Sequence, residues 1–142
     1  MSTLTLRLEA YDPAARQAIT AAQALADERG HAEVEPLHLL HALVQRQEVA
    51  RGAIERAGVD PMDALLEAEL RVRKLPRRDG GSSYLSPRLL DLLGRAEGEA
   101  ARDGGRPVDV GALFLATAQD ARGPVPEVLR VCGLSAPVLR AT

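Results

Sequence analysis

The sequence predicts an all-α fold: two tandem, pseudo-symmetric four-helix repeats packed into one domain over residues 1–142. Three observations carry this. Apolar residues recur at three- and four-residue steps along most of the chain, the period of a helix face. Asp12-Pro13 and Ser86-Pro87 each offer a side-chain oxygen to cap free amides, followed by a ring already set for the first helical turn. The constant offset that carries Pro13 onto Pro87 then lays the second half on the first. It also places Ile19 on Leu93, Ala22 on Ala96, Ala26 on Ala100, Gly30 on Gly104, Val34 on Val108, Leu39 on Leu113, Leu40 on Phe114 and Ala42 on Ala116. One residue of slip later, Ile54 meets Leu129 and Gly58 meets Gly133. Each half is too small to bury its own stripes well, so the two are expected to share a core.

The first helix is expected from Asp12, with Ala15, Ala18, Ile19, Ala22, Leu25 and Ala26 as its stripe and Gly30 as its stop. A second starts near Pro36; its near-continuous apolarity (Leu37, Leu39, Leu40, Leu43, Val44) predicts a central, buried position. Shorter helices follow over residues 50–57 and 61–73, the latter with Met62, Leu65, Leu66 and Leu70 on one face. Lys74 to Tyr84, KLPRRDGGSSY, reads as a flexible connection. Repeat 1 thus covers about residues 9–74, the linker about 75–85 and repeat 2 about 86–141. In the second repeat Leu89, Leu93, Ala96 and Ala100 supply the opening stripe and Gly104 its end. The alternation Leu4, Leu6, Leu8 predicts a short extended segment that either packs across the repeat junction or stays loose.

Composition excludes several functions. Aromatics are 2% of the chain (Tyr11, Tyr84 and Phe114), too few for the stacking platforms that bind single-stranded nucleic acid. A net charge of −2 gives no global basic field for DNA or anionic lipid. Cys132 is the one cysteine, which rules out an intramolecular disulfide and fits a reducing compartment. With neither a signal-peptide core at the N-terminus nor a membrane-length apolar run, a soluble, cytoplasmic protein is expected.

The stretch Ala21–Val44, AAQALADERGHAEVEPLHLLHALV, resembles the first repeat of the N-terminal domain of Clp-type AAA+ unfoldases, most like the ClpB members. Glu35-Pro36-Leu37-His38-Leu39 carries the motif at the start of the second helix. Ala57–Pro61, Lys74-Leu75-Pro76 and the second opening at Ser86-Pro87 fit as well, so the likeness runs from about Leu8 to Leu139. It implies about eight helices and a domain that sits ahead of ATPase rings, where it engages substrate polypeptides or the adaptors that deliver them. The parent would be hexameric, the isolated domain monomeric. No G-x-x-x-x-G-K-[ST] loop occurs, and Gly80-Gly81 and Gly104-Gly105 lack the lysine and hydroxyl of a phosphate cradle. The chain is therefore expected to be non-catalytic and free of cofactors. ClpC-type members recognise phosphorylated arginine through a glutamate in each repeat; Leu37 and Gly111 stand there, which argues against that ligand. Gly58–Pro61 and Leu75–Arg77 share the character of ClpV, which disassembles secretion sheaths.

Other chemistry has less support. His38 and His41 lie three apart after Glu35, but without further ligands the expected role of His38 is a local hydrogen bond at the helix start, with no metal. Arg71, Arg73, Lys74, Arg77 and Arg78 read as positive charge complementing a helix C-terminus. Cys132 shares a stripe with Val125, Val128 and Leu129 and reads as a small core residue.

The expected function is a non-catalytic polypeptide-docking domain of a ClpB-like, ATP-dependent unfoldase or disaggregase. The alternative is docking of an adaptor or a specific helix, as in ClpA-, ClpC- or ClpV-type systems. Partners are unfolded or aggregated polypeptides or an adaptor protein, with no nucleic acid and no membrane. By the resemblance, the groove at the repeat junction is lined by Tyr84, Leu85, Val108, Ala112 and Leu113, with Asp109 as a rim charge, and a charge at Leu85 or Val108 is expected to weaken binding without unfolding the domain. Phe114 is expected in the core with its repeat mate Leu40.

Overall fold

A computed structural model describes residues 8–78 and 82–141. Each half supplies four helices: α1 (Pro13–Glu28), α2 (Pro36–Arg46), α3 (Glu48–Arg56) and α4 (Pro61–Arg73), then α5 (Pro87–Arg102), α6 (Val110–Ala118), α7 (Pro124–Val131) and α8 (Ala136–Ala141). The starts are those the sequence dictates. Asp12 accepts the amide of Ala15 at 2.9 Å and Ser86 Oγ that of Leu89 at 3.0 Å. Asp60 and Asp109 cap α4 and α6 in the same way. α1 ends at Gly30 with φ +73°, and the amides of His31 and Gly30 return to the carbonyls of Ala26 and Asp27. A side chain at Gly30 would also press on the Arg78 carbonyl at 3.3 Å.

One hydrophobic cluster takes residues from all the helices. α2 lies at its centre, with Leu37, Leu39, Leu40, Leu43 and Val44 at most 1% exposed. Phe114 and Leu40 are both buried, as their shared repeat position predicts. α4 differs from expectation. Its core face is Ala64, Ala68 and Val72, while Met62, Leu66 and Leu70 stand 46%, 54% and 48% exposed. The small side chains let α4 sit close against its neighbours, and the leucine stripe is left on the outside.

The sequence pattern did not predict the pairing between repeats. β1 (Glu33–Val34), in the α1–α2 loop, runs parallel to β2 (Tyr84–Leu85), just before α5. Tyr11, just before α1, makes a parallel bridge with Val108, in the α5–α6 loop. The offset that relates the two halves converts one pair into the other, so each repeat lends its leading segment to the loop of its partner. Tyr11 further donates its hydroxyl to Glu97 on α5.

The connection after α4 corrects the expectation of a flexible linker at its described ends. The amide of Arg78 donates to the Gly30 carbonyl at 2.8 Å. Ser83 donates both its amide (2.7 Å) and its hydroxyl (2.6 Å) to Asp27. Gly80 and Gly81 lie outside the described residues, as do Leu4 and Leu6 of the N-terminal alternation; Leu8 opens a short 3-10 turn (Leu8–Ala10) and is exposed.

Candidate functional site: two related grooves

The repeats leave a groove each. The first lies among α1, α2 and α4 and measures about 990 Å³; the second lies among α5, α6 and α8 and measures about 660 Å³. Under the same offset, Leu25, Arg29, His41 and Gln45 of the first become Glu99, Asp103, Leu115 and Gln119 of the second. The fold thus builds one shape twice and lines it differently.

Glu69 closes one end of the first groove. Arg29 at the end of α1 grips it with both terminal guanidinium nitrogens, Nη1 and Nη2, at 2.8 and 2.9 Å. Arg73 adds a bond of 2.7 Å, and His41 Nε2 stands 2.8 Å from Oε1. The Arg29 fork, helped by Arg73 and His41 against the opposing cost of burial, pulls the Glu69 carboxyl down to about 2. The same contact raises Arg29. An ionised Glu69 accepts the proton on His41 Nε2, which leaves His41 Nδ1 buried without a partner among the described residues.

His38 sits behind this end, fully buried. Its Nδ1 accepts the Glu35 amide at 2.8 Å, so the helix start is closed by a side chain three residues in, the returning half of a capping box. This is the local role the sequence predicts. With Nδ1 an acceptor, Nε2 carries the proton and donates it to His31 Nδ1 at 2.8 Å. Burial, then the neighbouring His31 and His41, press His38 down to about 4; burial, Arg29 and Arg77 lower His31. Both rings are accordingly neutral at pH 7. Among the described residues no group of three His, Cys, Asp or Glu is placed to hold a metal ion.

The predicted groove residues separate. Asp109 and Ala112 are exposed and line the second groove. Tyr84 is 57% exposed and Leu85 half-buried on β2, outside that lining. Val108 and Leu113 are 1% and 0% exposed and belong to the core, so neither offers a side chain to a partner. Val108 also donates its amide to Ala10 and accepts that of Asp12, so a charge there would break the repeat junction rather than a binding surface. The residues that sequence reasoning missed are Arg29, Glu69, Asp27 and Ser83. Only the four-residue spacing of Glu69 and Arg73 was visible beforehand. The basic cluster is partly internal: Arg71 pairs with Glu67 at 2.6 Å, Arg73 with Glu69, and Arg78 donates to the Ser82 carbonyl. Cys132 is half-buried, and burial followed by Glu67 and Asp63 pushes its thiol up, away from nucleophilic chemistry. No helix among the described residues is long and apolar enough to cross a membrane.

The fold is thus a mostly helical double repeat with one groove per repeat. The Clp repeat N-terminal domain family matches residues 10–132, and the chain belongs to that family, whose N-terminal domain is non-catalytic. The chain is 36% identical over 122 residues to the chaperone protein ClpB of Meiothermus ruber, covering 83% of this chain and 14% of the relative. It is 31% identical over 137 residues to ClpB of Mesorhizobium japonicum, covering 94% and 16%. The chain therefore spans about one seventh of the length of these relatives. Among solved structures it is similar to the Hsp104 N-terminal domain of Candida albicans (TM-score 0.83, 19% identity, 92% of this chain and 87% of that one). It is also similar to the ClpV N-domain in complex with a VipB peptide (TM-score 0.71, 18% identity, 100% and 97%).

Proposed function

We propose that this chain is the polypeptide-docking domain of a ClpB-like, ATP-dependent unfoldase or disaggregase acting in the cytoplasm. The observation that carries the proposal is the second groove, open beside the α6 cap, where Asp109 and Ala112 are both exposed. Relatives at this level of identity are ClpB chaperones, and a structural neighbour holds a peptide on its own N-domain. Docking is weak by design. Burying about 200–300 Å² of apolar surface at roughly 25 cal/mol/Å² yields several kcal/mol before association costs, so affinities fall between micromolar and millimolar. Such cargo is released readily to an attached ring.

The test is an NMR titration with a permanently unfolded model polypeptide. Saturable shifts at Ala112 and its neighbours on α5 and α6, lost on Ala112→Asp, support capture of unfolded chains. No shift at high polypeptide concentration overturns it and leaves adaptor docking as the function.

A further inference from the structure

The two junctions between the repeats are built alike and differ in one chemical respect. All three histidines of the chain lie in the first repeat. Under the offset that relates the halves, Gly105 and Ala112 stand in the second where His31 and His38 stand in the first. His31 sits in the α1–α2 loop between two residues whose carbonyls take bonds from the connection. Gly30 accepts the Arg78 amide at 2.8 Å and Ala32 the Tyr84 amide at 3.1 Å. Val34 accepts the Ser86 amide at 3.0 Å, and Asp27 holds Ser83. The loop therefore clamps the connection at its described ends. The buried His31–His38 pair in turn anchors that loop to the first turn of α2.

This anchor has no free place for another proton. Each ring carries its proton on Nε2 and uses Nδ1 as an acceptor: His38 Nδ1 takes the Glu35 amide, and His31 Nδ1 takes the His38 Nε2 proton. An added proton must go to a lone pair already in use. On His31 it sets two N–H groups against each other across 2.8 Å; on His38 it removes the acceptor that closes the start of α2. No counter-charge receives it either. The cations facing the pair are Arg29 past the end of α1 and Arg77 on the connection, with His41 one turn along α2. The carboxylates of the surrounding elements are engaged elsewhere. Glu69 of α4 holds Arg29, Arg73 and His41, and Asp27 of α1 holds Ser83. Glu28 faces Arg29, and Glu33 faces Glu35, which itself turns to Ser86 and Arg88 of α5. Burial, with these cations, lowers both imidazoles, so the opened clamp binds protons before the closed one as pH falls.

We propose that the His31–His38 pair is a proton-operated latch: when a ring takes up a further proton, the α1–α2 loop releases Arg78, Tyr84 and Ser86 while the helices and the Tyr11–Val108 junction keep their places. The helices hold because their shared core is apolar. The second junction holds because it contains no imidazole. Near neutral pH the repeats exchange segments at both junctions; in acid they exchange at one, and the backbone edge of Ala32 and Val34 comes free. The latch is independent of what either groove binds.

The test is an amide and imidazole NMR titration of this chain from about pH 7.5 to about pH 4.5, with far-UV circular dichroism alongside. Signals of Ala32, Val34, Tyr84 and Ser86 are expected to give way to random-coil signals with the midpoint of the His31 and His38 rings. Those of Asp12 and Val108 hold, and helicity is unchanged. The open fraction grows about tenfold per pH unit for each ring that titrates. In His31→Asn a side-chain oxygen stands where Nδ1 stood and accepts the same proton without taking up another, so the midpoint falls by about one pH unit or more. Unmoved Tyr84 and Ser86 signals across the range overturn the proposal. So does simultaneous loss of both junctions and of helicity, which is acid unfolding of the whole chain. A response unaltered in His31→Asn also overturns it and assigns the titration to the Glu35 carboxyl. The comparison of the two junctions uses the unaltered chain, so it decides the matter even where the variant does not fold.

Discussion

Val34 and Val108 occupy the same place in the two repeats, and each is buried where the leading segment of the opposite repeat crosses it: Val34 pairs with Leu85, Val108 with Tyr11. The backbone bonds repeat too, Ser86 to Val34 in one half and Asp12 to Val108 in the other. The halves are held together by reciprocal exchange as well as by a common core.

This exchange predicts matched losses. Val34→Ala and Val108→Ala should each cost about 2 kcal/mol by removing packed methyl groups under a paired segment. Val108→Asp should prevent folding, since no partner awaits the charge. Urea denaturation of the three variants checks this; a folded Val108→Asp of ordinary stability would contradict it.

Glu69 joins α1, α2 and α4 through Arg29, His41 and Arg73. Glu69→Gln keeps the shape, removes the charge and leaves Arg29 and His41 imperfectly matched. A loss of about 1–3 kcal/mol in urea denaturation is expected. Because the folded state pulls this carboxyl down to about 2, its contribution is present above the ordinary glutamate range and fades as pH falls toward 2.

His38 acts at a higher pH. Its folded-state value of about 4 lies below the ordinary histidine range, so the unfolded chain binds the extra proton first. Stability should be complete above about pH 7, decline as pH falls from about 6.5 toward 4, and lose up to about 3 kcal/mol over that window. His31, shifted in the same direction, adds to the loss. Denaturation midpoints across this range, compared with those of His38→Gln, measure the share of His38; a flat profile in the parent protein would contradict the assignment.

Ser83 ties the connection to α1 through Asp27, whose carboxyl its two bonds hold below the usual range. Ser83→Ala should cost about 1 kcal/mol and speed proteolysis between Lys74 and Tyr84. Limited trypsin digestion at the basic residues of this segment reads the change directly.

What the sequence determined by itself was local and periodic. The cap-proline openings placed the helix starts, the three- and four-residue steps marked the stripes of α1 and α5, and the constant offset between the halves exposed the repeat, because each depends on neighbours within one or two turns. The likeness around Glu35–Leu39 identified the family for the same reason. Tertiary structure decided what depends on distant partners. Val108 and Leu113 are apolar whether they line a groove or fill a core, and only the crossing of Tyr11 over Val108 and the packing of α6 made them core. α4 carried two apolar faces, one of alanines with Val72 and one of leucines; periodicity counts both, and only the packing of its neighbours chose the smaller one for burial and left Met62, Leu66 and Leu70 exposed.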